Sequence, residues 1–273
     1  MPKGKNSGIM KRYFFLFLSI FLMTGVPTGC KIKGGQGINL FSIEQEKELG
    51  LQVKQEIESN PSEFPILPEQ GHEEIYAYIR SLRDRLLGSG QVAHRQDFAW
   101  EVKIIQDDET LNAFCTPGGY IYVYSGLIKF LDSESELLGV LGHEMAHAAL
   151  RHSTRQLTKI YGLQVLVAIA TGKSEPGLVE QIALGLVSLK FSRSHEAEAD
   201  AHSVLYLCNS PYDAAGAAGF FEKMLDRPNP PEFLSTHPSP DHRVEDIHAK
   251  KQELGCPGTK KGEKKYAEMK KLL

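Results

Sequence analysis

The spacing of hydrophobic residues along this chain alternates between a helical period and a strand period. Apolar residues recur every third or fourth position over residues 42–59, which predicts an amphipathic helix capped by Ser42. The same spacing predicts a second helix over residues 72–87. Residues 98–104 alternate between apolar and polar side chains, which is typical of a half-buried strand. These patterns predict an α+β protein that is mainly helical.

Further patterns surround the most apolar predicted helix. Ser133 and Glu136 have the spacing of a capping box, and an apolar helical pattern follows them. Before it, a turn at residues 116–119 between two short apolar stretches predicts a hairpin. After it, the apolar runs 160–170 and 178–191 are each shorter than the roughly twenty residues of a membrane-spanning helix, so they predict a helical hairpin in the core. The alternative is an apolar patch that faces lipid or a partner protein.

The apolar helix carries two histidines one turn apart. His143 and His147 project from one face and can share a metal ion, with Glu144 between them. A catalytic zinc site commonly has three protein ligands and a water molecule, and that water needs a base. The pattern predicts His143 and His147 as zinc ligands and Glu144 as the base. The alternative is a pair of core histidines bonded to the backbone.

The third ligand has to come from another part of the chain. His152 follows His147 by five residues, so a continued helix would turn it about 140° away, at the surface or behind the ligands. Glu196 and Asp200 lie one turn apart among alanines that allow another helix to approach. We expect Glu196 to be the third ligand and Asp200 to orient a histidine ligand through its free ring N–H.

Three motifs occur in a fixed order: His-Glu-x-x-His at 143–147, Glu-x-x-x-Asp at 196–200, and Thr-His-Pro at 236–238 followed by Arg243. Together with the opening segment 39–46, they resemble the zinc metallopeptidase family M48. That family includes the CAAX prenyl endopeptidases, the membrane protease HtpX, Oma-type mitochondrial proteases and periplasmic proteases of the BepA and LoiP kind.

The resemblance implies a zincin-like domain with a small antiparallel sheet beside the active-site helix and one Zn²⁺ per chain. It implies that His237 either donates a hydrogen bond to the tetrahedral oxyanion or occupies the fourth zinc position as a latch. Arg243 would lie near the site; otherwise it is an exposed arginine in the first turn of a helix. The segment Asn112, Ala113 and Phe114 would be a sheet edge that holds substrate as an added strand; otherwise it belongs to an ordinary hairpin packed on the core.

The N-terminus has the pattern of an export signal. Basic residues precede an apolar run over residues 13–23, which predicts a signal peptide over residues 1–29. The small residues before Cys30 resemble a lipobox, although Pro27 stands where an aliphatic residue is usual. We expect Cys30 to be lipidated and to anchor a periplasmic protein to the outer membrane, with plain export or an uncleaved anchor as the alternatives.

The composition and the cysteines of the chain indicate a globular protein with at least one cysteine that is unpaired within the chain. The chain has 41% hydrophobic and 24% charged residues and a formal charge of −3, which is ordinary for a globular protein and does not indicate nucleic-acid binding. Besides Cys30 there are Cys115, Cys208 and Cys256, an odd number, and a bridge between Cys208 and Cys256 is one open arrangement. The basic run 260–271 is interpreted as a solvated tail, with attraction to a membrane surface as the alternative.

The predicted organisation is a signal peptide (1–29), a linker (30–41), a zinc metallopeptidase domain (42–255) and a basic C-terminal tail (256–273). The predicted function is a zinc-dependent endopeptidase of the bacterial cell envelope that degrades misfolded or stalled envelope proteins. One alternative is a chaperone-like quality-control factor with little proteolytic activity, which Glu144 disfavours because a structural zinc site needs no base. The other is a small-molecule zinc hydrolase, which the hairpin disfavours.

Overall fold

The structure is a computed structural model that describes Asn39 and residues 41–225, 232–237 and 242–273. The elements in chain order are α1 (Ile43–Ser59), α2 (Glu73–Gly88), β1 (Glu101–Ile105), β2 (Ala113–Thr116), β3 (Tyr120–Tyr124), α3 (Ser125–Phe130), α4 (Glu134–Ala149), α5 (His152–Tyr161), α6 (Leu163–Ala170), α7 (Leu178–Val187), α8 (Arg193–Leu207), α9 (Gly216–Leu225), α10 (Glu232–Thr236), α11 (Arg243–Glu253), α12 (Glu263–Met269) and a final 3₁₀ turn (Lys270–Leu272). The mainly helical α+β class is confirmed.

Helix α4 is the central element of the fold. Its N-cap is Ser133, whose side chain accepts a hydrogen bond from the backbone N–H of Glu136, as predicted. All residues of α4 are buried except Glu136. A Cβ at Gly139 would meet the backbone of Ala217 in α9, and one at Gly142 would lie 3.3 Å from Ser203 in α8. Glycine therefore allows both neighbouring helices to approach α4 closely.

The sheet has the order β1-β3-β2. β2 and β3 form the predicted antiparallel hairpin, whereas β1 runs parallel to β3, which was not expected. The parallel pairing follows from the connection over residues 106–112, which places β1 and β2 on opposite sides of β3 and in opposite directions. Because β3 is antiparallel to β2, it must be parallel to β1. β3 is thus the central strand, and β1 and β2 are the two edge strands.

The two faces of the hairpin pack into two different parts of the core. Ala113, Cys115 and Val123 contact the cluster that contains α2, α4, α8 and α9. Phe114 and Tyr122, on the other face, contact the cluster that contains α1 and α5 to α7. One face of the sheet therefore packs toward α2, α4, α8 and α9, and the other face packs toward α1, α6 and α7.

The other predicted helices are also present. α1 begins after Ser42 with a full capping box to Gln45, and α2 ends at Gly88, as predicted. The apolar runs 160–170 and 178–191 contribute α6 and α7, which pack against α1. In the described part of the chain, no helix has the length and apolar character needed to cross a membrane.

The C-terminal segment is folded. Cys208 and Cys256 form a disulfide, and Cys115 is a buried free thiol. The interpretation of the basic run as a solvated tail is wrong for its backbone, because α12 buries Tyr266, whose hydroxyl donates to the carbonyl of Ile128. The sequence pattern was misleading because most lysines of this run remain exposed, whereas Tyr266 is buried and Lys270 donates to the carbonyls of Lys129 and Leu131.

Several predictions lie outside the described residues. These are the signal peptide, Cys30 and most of the linker.

Candidate active site

Helix α4 places two histidine rings on one face. His143 and His147 are one turn apart, and their Nε2 atoms are 3.0 Å from each other. Both side chains are buried. Two unprotonated ring nitrogens at this distance repel unless a proton or a metal ion lies between them. The geometry is therefore that of a shared cation, as the motif predicted.

Helix α8 brings a carboxylate to the same point. Its N-cap is Ser192, and Glu196 lies in its first turn. Glu196 Oε1 is 3.4 Å from His147 Nε2, and Oε2 is 3.5 Å from His143 Nε2. The close approach of α8 to α4 at Gly142 makes these distances possible. The structure therefore brings Glu196 to both histidines.

The segment that follows α10 adds a third ring. His237 Nδ1 is 3.2 Å from both His143 Nε2 and Glu196 Oε1. The ring stacks on Phe233 at 4.3 Å between centroids, and the backbone N–H of His237 donates to the carbonyl of Phe233. The turn of α10 therefore holds His237 against the other donors.

These four side chains fit a zinc ion. One donor atom from each of His143, His147, Glu196 and His237 lies within 4.8 Å of the other three. Tetrahedral zinc, bound at about 2.1 Å, separates its ligand atoms by about 3.4 Å, and the donor set of imidazole nitrogens and a carboxylate is one that zinc prefers. The four side chains are at most 2% exposed.

The charges of the cluster favour a cation. Burial lowers the pKa of His143, but its bonds with Asp200 and Glu196 outweigh burial and raise that pKa to about 9. Burial lowers the pKa of His147 to about 3. Burial also raises the pKa of Glu196, yet His237 and the other two histidines hold it far below its usual range. The site thus combines an ionised carboxylate with a position that favours positive charge.

Glu144 lies beside the donors without being one of them. Its Oε1 atom is 3.6 Å from His237 Nε2, and this buried oxygen has no hydrogen-bond partner within the described residues. Burial raises the pKa of Glu144 above its ordinary value, while His237 and His143 offset part of that effect. A small cavity next to Glu144 is lined by apolar side chains that include Phe114, Leu186, Leu189 and Phe191. A carboxylate with a raised pKa beside a cavity is suited to accept and return a proton.

Asp200 and Arg243 lie behind His143. Asp200 Oδ1 is 2.9 Å from His143 Nδ1, as predicted for a group that orients this ring. Arg243 donates to both oxygens of Asp200, from Nε at 2.6 Å and from Nη2 at 2.8 Å. Its side chain is buried, so the alternative of an exposed arginine is wrong. Arg243 and His143 hold the pKa of Asp200 below its usual value even though burial raises it.

The predicted direction of His152, away from His147, is wrong, and of its two predicted positions it takes the one behind the ligands rather than the one at the surface. His152 is fully buried, and its Nδ1 atom is 3.0 Å from His147 Nδ1. The prediction assumed a continuous helix, but Arg151 has left-handed angles of φ 60 and ψ 33 that end α4 and start α5 in a new direction. Arg151 donates to Glu46, which is 105 residues earlier in the chain. No glycine or asparagine marks this break, so the contact had no local signal in the sequence.

The edge strand β2 lies next to α4. The backbone N–H of Tyr124 donates to the carbonyl of Asn112, so alternate residues of β2 bond to β3. The backbone groups of Ala113 and Cys115 therefore face the other side, where Ser153 Oγ donates to the carbonyl of Cys115 at 3.4 Å. Asn112 and Phe114, the other predicted edge residues, are buried.

The sequence of this chain matches the model of peptidase family M48 over residues 75–251, which contain every residue of the metal cluster. The chain belongs to peptidase family M48. The metalloprotease LoiP of Escherichia coli K12 is 30% identical to this M48 chain over 240 residues, which cover 81% of the chain and 90% of LoiP.

Two other relatives are longer than this M48 chain. The mitochondrial metalloendopeptidase OMA1 of Arabidopsis thaliana is 35% identical over 149 residues, 54% of this chain and 30% of OMA1. The beta-barrel assembly-enhancing protease of Yersinia pestis is 29% identical over 233 residues, 78% of this chain and 45% of that protease. The M48 chain thus spans less than half the length of these two relatives.

Proposed function

We propose that this protein is a zinc-dependent endopeptidase of the bacterial cell envelope that cleaves unfolded or misfolded envelope proteins. The observation that carries the proposal is the buried carboxylate of Glu144 beside four converging metal donors. A site built only to stabilise the fold has no use for that carboxylate. Family membership and the protease names of the relatives support the same activity.

His143, His147 and Glu196 would hold the zinc ion. When bound, zinc acts as a Lewis acid that lowers the pKa of a water molecule and polarises a carbonyl. Glu144 takes the proton of the attacking water and returns it to the leaving amine, which its raised pKa favours. Asp200 keeps the proton of His143 on Nδ1, and Arg243 holds Asp200 in place. Arg243 is thus a positioning residue in this proposal, since its described polar contacts are with Asp200 and with the ligands Glu196 and His143.

The substrate would bind as an extended strand along β2. The outward-facing backbone groups of Ala113 and Cys115 can pair with a polypeptide, and such pairing recognises backbone rather than sequence. In the structure, the hydroxyl of Ser153 donates to the carbonyl of Cys115, and the N–H of Ala113 donates to the side-chain oxygen of Asn112. The cavity beside Glu144 is too small for a polypeptide. The proposal therefore requires α5, α7 or the His237 segment to move before cleavage.

The cellular location belongs to the same proposal. Export through residues 1–29 and lipidation of Cys30 would place the protease in the periplasm, anchored to the outer membrane. The name of the beta-barrel assembly-enhancing relative supports substrates at the outer membrane.

The activity is tested with an unfolded protein substrate and the purified, zinc-loaded chain. We expect cleavage that stops when a chelator removes the metal and returns when Zn²⁺ is added, because the donor set is incomplete as a catalyst without a cation. Cleavage that persists after complete metal removal would contradict the proposal. A chain that holds zinc but never cleaves, whether or not His237 is replaced, would favour the chaperone-like function.

His237 is the residue that decides how the site is regulated. Its Nδ1 atom lies among the metal donors, which supports the role of a latch on the fourth position. If the latched state makes up about nine tenths of the molecules, His237→Ala raises the cleavage rate about tenfold by releasing it. If His237 is instead an oxyanion donor, His237→Ala lowers the cleavage rate about 10²- to 10³-fold. Rates on the same unfolded substrate distinguish the two, with His248→Ala on the exposed side of α11 as the control.

A further inference from the structure

His152 is a buried histidine outside the group of metal donors. It is the first residue of α5, and the break at Arg151 turns its ring back toward α4. Its Nδ1 atom is 3.0 Å from Nδ1 of His147, and its Nε2 atom is 3.3 Å from Glu198 Oε2. The three side chains therefore form a chain of hydrogen bonds that leads away from the metal cluster.

The position of each proton in this chain follows from the role of His147. The Nε2 atom of His147 is the one that faces the cluster, 3.0 Å from His143 Nε2. A nitrogen that gives its lone pair to a metal carries no proton, so the proton of His147 is on Nδ1. That N–H can only donate, and Nδ1 of His152 must accept. The proton of His152 is then on Nε2, where it is donated to Glu198.

Aromatic packing holds both rings in this arrangement. The ring of His195 stacks on His152 with 4.2 Å between centroids and an interplanar angle of 11°. The ring of Phe191 stacks on His147 with 4.0 Å between centroids and an angle of 25°. Neither imidazole can tilt without losing these contacts, so the Nδ1 to Nδ1 bond is geometrically defined.

The two histidines of α4 are therefore supported in different ways. His143 is held by the ionised pair of Asp200 and Arg243, whereas His147 is held by a second imidazole. A carboxylate partner increases the basicity of a metal-bound imidazole more than a neutral ring does. His152 thus orients His147 without adding another charge near the zinc site.

We propose that His152 is a positioning residue that selects the tautomer and ring orientation of the ligand His147, and that Glu198 does the same for His152. This inference rests on the proposed zinc site. Removing a group that orients a metal ligand typically lowers metal affinity about 10- to 100-fold. His152 makes no contact with a substrate position in this account, so its effect appears in metal binding itself.

The test compares two replacements of similar size and polarity. In His152→Asn, the side-chain oxygen can take the place of Nδ1 and accept the proton of His147. In His152→Gln, the amide reaches the place of Nε2 and leaves His147 without an acceptor. Zinc affinity of the full chain is measured by competition with a chromophoric chelator, with His248→Gln at an exposed position as the control.

We expect zinc affinity to fall about 10- to 100-fold in His152→Gln and to stay within about threefold of the parent in His152→Asn. The visible spectrum of the Co²⁺ form should change only in His152→Gln, because a tilted ligand alters the coordination geometry. Equal affinities in folded parent and variants, or a greater loss in His152→Asn, would overturn the inference. If His152→Gln does not fold, the His152→Asn variant alone decides. A tenfold loss of zinc affinity in folded His152→Asn would overturn the inference. Parental zinc affinity with an unchanged Co²⁺ spectrum in His152→Asn would support it. A parent chain that binds no zinc would instead overturn the proposed function as well.

Discussion

Replacing Glu144 by glutamine is expected to lower kcat/KM for peptide cleavage by about 10²- to 10⁴-fold while leaving zinc binding unchanged. Glutamine keeps the size of the side chain but cannot accept the proton of the attacking water. Glu144 lies near the cluster, with Oε1 3.6 Å from His237 Nε2, yet it is not among the four donors. The effect therefore falls on proton transfer and leaves the metal site intact.

The measurement is the cleavage rate of an unfolded substrate together with the zinc content of the same preparation. The exposed Glu74→Gln on α2 is the matched control, and it should keep the parental rate. A Glu144→Gln variant that retains zinc and cuts at the parental rate would exclude Glu144 as the base. Simultaneous loss of zinc and activity would instead assign Glu144 to metal binding.

Replacing Arg243 by methionine is expected to lower the free energy of unfolding by about 3–5 kcal/mol. The guanidinium is buried and donates two hydrogen bonds to Asp200, and its Nη2 atom is 3.2 Å from Glu196 Oε2. Methionine fills much of the space but leaves the charge of Asp200 buried with one partner fewer. The cost comes mainly from that uncompensated charge.

Urea unfolding at a fixed zinc concentration measures this loss. The exposed Arg95→Met should change the free energy of unfolding by no more than about 0.5 kcal/mol. In the double variant Arg243→Met/Asp200→Asn, the loss should be smaller than the sum of the two single losses, because the charge of Asp200 is removed together with the arginine that compensates it. If the two single losses in free energy of unfolding add up to the loss in the double variant, Arg243 and Asp200 do not act as a pair.

The agreement between sequence and structure is closest where the signal is local. Ser42 and Ser133 cap α1 and α4 as predicted, since a hydroxyl followed by Gln or Glu three residues later satisfies the first free N–H groups of a helix. The spacing of His143, Glu144 and His147 determines their common face by helical geometry alone. Glu196 could be selected because it lies one turn from Asp200 among alanines that allow α4 to approach, and because the motif resembles that of the family.

Other parts of the site depend on contacts between distant parts of the chain. Arg243 was equally consistent with an exposed and a buried position, and only the packing of α11 against α8 and α9 places it beside Asp200. The parallel pairing of β1 with β3 depends on a connection whose path carries no periodic signal. The bridge between Cys208 and Cys256 joins residues 48 positions apart, and residue spacing alone did not select that pair.

Local spacing is enough to predict α1, α2, α4, the hairpin of β2 and β3, and the common face of His143 and His147, because each feature involves residues close together in the chain. The positions of His237 among the donors and of His152 against His147 depend instead on packing between distant segments. The latter contact requires a left-handed Arg151, a conformation that costs energy at a residue other than glycine and that is accompanied here by a bond to Glu46 far earlier in the chain. A backbone conformation that is stabilised by a distant residue cannot be predicted from the residues next to it in the sequence.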